Sequence, residues 1–155
     1  MRKKLTIVQL VIVLCSALLP LLDGMFTWIA YNDYENISNR SMSLSNIMTV
    51  QQIGGGPFLY YIFYICLALM LAYCLLELFC ENRVLGQKAF LAIPTFPLIL
   101  DVIMMITVDN HTDTYVWEGE VRRIAVSLDI LAYVGIVLLS AVFLIECYKQ
   151  FKCND

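Results

Sequence analysis

Charge is scarce in this chain. Only 15 % of its 155 residues are Asp, Glu, Lys or Arg, the net charge is −3, and no basic run exceeds Arg2-Lys3-Lys4. There is thus no electrostatic footprint for nucleic acid or for an acidic partner. His111 is the only histidine, so no second imidazole is available to share a metal. The six cysteines include no C-x-x-C pair, which removes the usual redox and zinc patterns. Neither a metal nor a cofactor is expected, and no catalytic group stands out.

Apolar mass is what the chain has. Hydrophobic residues make up 61 % of it and the mean hydropathy is +0.77, outside the balance of a soluble domain. A hydrocarbon core about 30 Å thick takes about 20 apolar residues per helix. Four such segments occur. The expected fold is an all-α integral membrane protein: a four-transmembrane-helix bundle of two antiparallel hairpins with two polar outer loops, in a single membrane domain.

The first span opens after the basic start and is apolar from Leu5 to Leu22, with Thr6, Gln9 and Ser16 as mild polar breaks. Its layout is that of a signal peptide, but no small-x-small cleavage site follows, so an uncleaved helix over 5–27 is expected. Gly54-Gly55-Gly56 leads into the second, 57–79, with Pro57 at the first helical position. The third covers 89–108 and the fourth 124–147. Backbone polar groups in lipid must be satisfied internally, so these segments are helices.

Lysines and arginines set the orientation. Seven lie at the amino terminus (Arg2, Lys3, Lys4), the 80–88 turn (Arg83, Lys88) and the tail (Lys149, Lys152); Arg40, Arg122 and Arg123 lie in the other two loops. This bias puts both termini and the central turn in the cytoplasm, and loops 31–56 and 109–123 outside a plasma membrane, or an inner membrane in a bacterium. Each loop is too short for its own core. Ser43 to Met48 suggests a short surface helix and Thr114 to Glu120 a strand. Asn36, Asn39 and Asn110 open glycosylation sequons.

The cysteines lie in the apolar segments (Cys15, Cys66, Cys74) or just beyond them (Cys80, Cys147, Cys153). They are small apolar fillers, with Cys80, Cys147 and Cys153 placed for lipidation near the inner surface.

An ionisable residue within a span costs on the order of 3 kcal/mol on insertion scales. Asp101 and Asp129 are the two clear cases. Counted from the expected outer helix ends, they lie at similar depths, about 10 Å and about 9 Å. Tyr64 reaches the same level from the second span, with Tyr60 one turn above. Pro94 and Pro97 deprive the carbonyls of Phe90 and Ile93 of their usual donors, and Asp23 lies near the outer end of the first span. Asp101, Asp129, Tyr64 and Asp23 therefore form the candidate ion- or proton-binding layer. On the fourth span Ala125, Asp129, Ala132, Ile136 and Ser140 share a face directed into the bundle. Glu77 and Glu146 are expected to be solvated at the inner surface, near Arg83 and Lys149.

Two short matches hint at duplication. Leu19-Pro20…Asp23 parallels Phe96-Pro97…Asp101, and Leu75-Leu76-Glu77 parallels Leu144-Ile145-Glu146. Small four-span families find no support: the first span lacks the glutamate of small multidrug transporters, and Asp101 and Asp129 lack the asparagine signatures of lipoprotein signal peptidases. The expected function is that of a non-enzymatic membrane component, an accessory or regulatory subunit that meets lipids, another membrane protein or itself. A small cation or proton transporter and an immunity or toxin-resistance protein are the alternatives.

Overall fold

The computed structural model describes residues 2–32, 36–53, 55–79, 87–109, 111–117 and 120–152. Four long helices are described, with one antiparallel strand pair between the first and second and another between the third and fourth. Helix α1 is Arg2–Leu18, followed by a 3-10 turn Leu19–Leu21; strands β1 (Phe26–Asn32) and β2 (Asn36–Met42) precede a π-helical turn Asn46–Val50 and helix α2 (Gly56–Phe79). Helix α3 (Gln87–Val108), strands β3 (Thr112–Trp117) and β4 (Glu120–Leu128), and helix α4 (Ile130–Lys152) complete the order. All four helices are long and apolar enough to cross a membrane, over Arg2–Leu21, Gly56–Phe79, Leu91–Val108 and Ile130–Phe151. The chain is a small multi-pass membrane protein built on a four-helix bundle, with a small antiparallel sheet in the loops.

Two compact units divide the chain. The first comprises 1–18, 61–102 and 135–155 and holds most of each helix. Its neighbouring helices pack against one another. Each helix buries a narrow stripe whose members are three or four residues apart, the seam of a left-handed bundle. On α2 the stripe runs through Phe63, Leu67, Met70, Tyr73 and Cys74, and on α4 through Gly135, Leu139, Val142, Glu146 and Lys149. Large apolar residues such as Val11, Leu14, Ile65, Leu69, Val137 and Leu144 stay exposed. In lipid this costs nothing, because acyl chains are as apolar as leucine.

Helix α1 is inverted relative to a water-soluble helix. Its buried residues are Thr6, Gln9, Val13 and Ser16, whereas Ile7, Val8, Val11 and Leu14 point outward. Helix α3 runs unbroken through Pro94 and Pro97, and both prolines are buried.

The second unit comprises 19–60 and 103–134. Its centre is a sheet of order β2-β1-β4-β3, antiparallel throughout. Strands β1 and β4 pair from Phe26↔Leu128 to Asn32↔Arg122. On one face Phe26, Ala30 and Val126 are buried; Leu44, Ile47, Met48 and Ile53, with Met25, Met104 and Met105, are among the other buried side chains of this unit. The turn at Asn46–Val50 is thus anchored by its apolar side rather than lying free on the surface.

Two expected boundaries are corrected. Residues 124–128 do not open the fourth helix, and Phe26 and Thr27 do not close the first; both segments are strands whose backbone groups pair with each other. A short apolar run does not distinguish helix from strand by periodicity alone. The two connections, each too short for a core, make one together by lending strands to a common sheet.

Gly24 turns the chain between the 3-10 turn and β1 with φ +109, and a Cβ there would lie 3.0 Å from Leu131 Cδ1. An L-residue resists this conformation by about 1–2 kcal/mol. Gly24→Ala is expected to destabilise the protein by that amount or more, seen as a lowered midpoint in thermal unfolding in detergent.

Candidate functional site

The polar residues that α1, α2 and α4 bury converge on Lys149, whose side chain has no solvent exposure. Its ammonium has three hydrogens and finds three acceptors. It donates to Gln9 Oε1 at 2.8 Å and to Glu146 Oε2 at 2.9 Å, and it also donates to Glu77 Oε2. The ring of Tyr73 lies beneath it, 5.4 Å from Nζ to the centroid, near enough for a cation–π contribution.

Glu146, also fully buried, is equally saturated. Its Oε1 accepts from Tyr73 Oη at 2.9 Å and Gln150 Nε2 at 2.8 Å, and its Oε2 accepts from Lys149 and from Gln9 Nε2 at 3.2 Å. Glu77 accepts from Arg2 Nε at 2.6 Å and from Thr6 Oγ1 at 2.9 Å, besides Lys149. Two cations and two carboxylates make the group electrically neutral. A buried charge is tolerable when it is both paired and hydrogen-bonded, and these are.

This overturns the expectation that Glu77 and Glu146 are solvated: they tie three helices together. Nothing in their local sequence distinguishes a solvated end from a buried one. The signal lay in α1, where Arg2, Thr6, Gln9 and Ser16 fall on the buried seam, polar residues at core spacing.

Of the expected ion- or proton-binding layer, Tyr64 and Asp101 belong to the first unit and Asp23 and Asp129 to the second. Asp101 faces inward on the buried stripe of α3, is only 2 % exposed, and its Oδ2 has no hydrogen-bond partner. Tyr64 donates its hydroxyl to the carbonyl of Ala17 at 2.9 Å. Asp23 is exposed beyond the 3-10 turn.

Asp129 lies not within a helix but at the junction of β4 and α4, half-buried. Its Oδ2 accepts from Thr27 Oγ1 at 2.5 Å, its N–H donates to the Met25 carbonyl at 2.9 Å, and its carbonyl accepts from Ala132 N at 3.1 Å. These bonds fasten the sheet's central pair and start α4. The inward face expected for α4 is also shifted: Ala132 is buried, but Ile136 and Ser140 are half-buried beside the Gly135–Leu139–Val142 line.

Of the lipidation candidates, Cys147 is a free, half-buried thiol on α4. Cys80 and Cys153 lie outside the described residues, as do Arg83 and Asn110. No group of three or more His, Cys, Asp or Glu side chains among the described residues is arranged to hold a metal. No known protein family, curated protein or solved structure matches the chain.

Removing one member of a buried ion pair strands the other, typically at 3–5 kcal/mol. Lys149→Met is expected to destabilise the bundle by about 3 kcal/mol or more in unfolding by a denaturing detergent. The double variant Glu146→Gln/Lys149→Met should recover part of that loss. Asp101, whose Oδ2 has no donor to lose, should behave oppositely: Asp101→Leu is expected to hold or raise the unfolding midpoint, because an unsatisfied buried oxygen is removed.

Proposed function

We propose that this chain is a non-enzymatic membrane component, an accessory or regulatory subunit that acts by associating with another membrane protein. The observation that carries this reading is the closure of the Arg2–Glu77–Lys149–Glu146 group. Its charges are matched and its carboxylate and ammonium sites are filled from within the chain, leaving no charged group there to act on a substrate. The described helices carry apolar outward faces suited to lipid or to a neighbouring helix.

The proposed setting is the plasma membrane, with both termini and the central 80–88 turn in the cytoplasm and loops 31–56 and 109–123 outside. The seven-to-three distribution of Lys and Arg supports that orientation. Exposed strand residues, among them Arg40, Thr114 and Arg123, would then be available to an extracellular or periplasmic partner.

A second reading, a cation or proton path, is favoured by one observation, the unpartnered Oδ2 of Asp101. Buried carboxyls kept at the expense of stability are characteristic of function.

Purification in mild detergent separates the two. The accessory role predicts a stoichiometric membrane partner that co-purifies and is lost when exposed sheet residues such as Arg123 and Thr114 are replaced. A strictly monomeric, partner-free protein that moves protons or cations in proteoliposomes, with flux abolished by Asp101→Asn, would establish the second reading and end the first.

A further inference from the structure

The polar network is not uniform along its length. At one end Arg2 and Glu77 keep 24 % and 13 % of their side-chain surface, while Lys149 and Glu146 keep none. Helix α1 enters this network at two levels. Its first turns are held by Arg2 and Thr6, and among the described residues of other helices both bond to Glu77 alone. About 10 Å beyond Arg2 and about 5 Å beyond Thr6 along the helix axis, Gln9 is held differently: it accepts from Lys149 and donates to Glu146 and to the Val142 carbonyl, all on α4.

The two attachments therefore have different anchors. Glu77 on α2 carries the first, and α4 carries the second. The α2–α4 tie does not need α1, since Tyr73 on α2 donates to Glu146 on α4 and Lys149 on α4 pairs with Glu77 on α2. We propose that the amino-terminal turns of α1 are a charge-gated latch: Glu77 holds them closed through Arg2 and Thr6, and Gln9 is the pivot that keeps the remainder of α1 docked when the latch opens.

The chemistry of opening follows from the same contacts. Neutralising Glu77 leaves Arg2 without its ion-pair partner, whereas Lys149 still has Glu146 and Gln9. The released turn would carry Arg2 together with Lys3 and Lys4, which are already exposed, out of the bundle. Beyond Gln9, Leu10 packs on Tyr73 and Cys74, so the helix below the pivot keeps its own contacts. Among the described residues, the titratable neighbours of Glu77 are Arg2 from α1, Lys149 and Glu146 from α4, and Tyr73 and Cys74 on its own helix. Asp101 lies fourteen residues into α3, about 21 Å of helix from its first residue.

Distances between spin labels test the latch in the full chain, with native cysteines replaced and the protein in lipid nanodiscs. One pair, Lys4→Cys with Leu76→Cys, spans the latch; a second, Val11→Cys with Leu69→Cys, lies beyond the pivot, and all four positions are exposed. Glu77→Gln should lengthen the first distance by about one helical pitch, ~5 Å, and leave the second unchanged. Arg2→Gln, which removes no group from the α2–α4 tie, should do the same. If both distances change together, α1 docks as one rigid element and the latch is wrong. If neither changes in either variant, Glu77 does not hold α1 and the proposal also fails.

Discussion

Hydrocarbon offers no hydrogen bonds, and the structure is shaped by that lack. A polar group that enters the membrane is left unsatisfied unless it finds its partner within the chain. The backbone meets the demand by forming helices. The side chains meet it by gathering at Lys149, where three donors meet three acceptors and both carboxylates are filled. In water such a group would add little, because each member would already be solvated. In lipid the alternative is a stranded charge, so three helices are fixed in register by the need to avoid one.

The same constraint explains which features were legible in the residues. Four spans followed from length and hydropathy, and the second and third fall within two residues of the observed helices. The inward face was harder, because hydrophobicity does not mark it when lipid is the solvent. Polarity does. Thr6, Gln9 and Ser16 looked like imperfections in an apolar segment, yet with Arg2 and Val13 they repeat every three or four residues and define the buried side of α1. For a membrane helix, the few polar residues carry the packing information that the many apolar ones carry in a soluble protein.

The sheet was missed for a different reason. Ile124, Val126 and Leu128 alternate with Arg123, Ala125 and Ser127, a period of two that belongs to a strand. Fused to the apolar run of α4, the alternation vanished into the hydropathy of the whole segment. Asp129 marked the true boundary, as an Asp placed immediately before a helix often does. Counting it as intramembrane followed from the lost boundary. Its depth disappears once the helix begins at Ile130. Asp101 has no such reprieve: it lies on the inward stripe of α3, and one of its oxygens has no partner.

The hint of duplication can now be weighed against topology. Both halves run helix, strand, strand, helix, and the two matched glutamates, Glu77 and Glu146, meet on a single ammonium. Equivalence of the halves would also carry β1 onto β3 and β2 onto β4. The sheet order β2-β1-β4-β3 places β1 inside and β3 at an edge, so that operation exchanges a doubly paired strand for a singly paired one. The other match fails too, since Pro20 sits in a 3-10 turn before an exposed Asp23, while Pro97 lies within a helix before a buried Asp101. The resemblance is therefore confined to the ends of α2 and α4, where one cation imposes the same requirement on two helices. A shared electrostatic demand accounts for it without common descent of the halves.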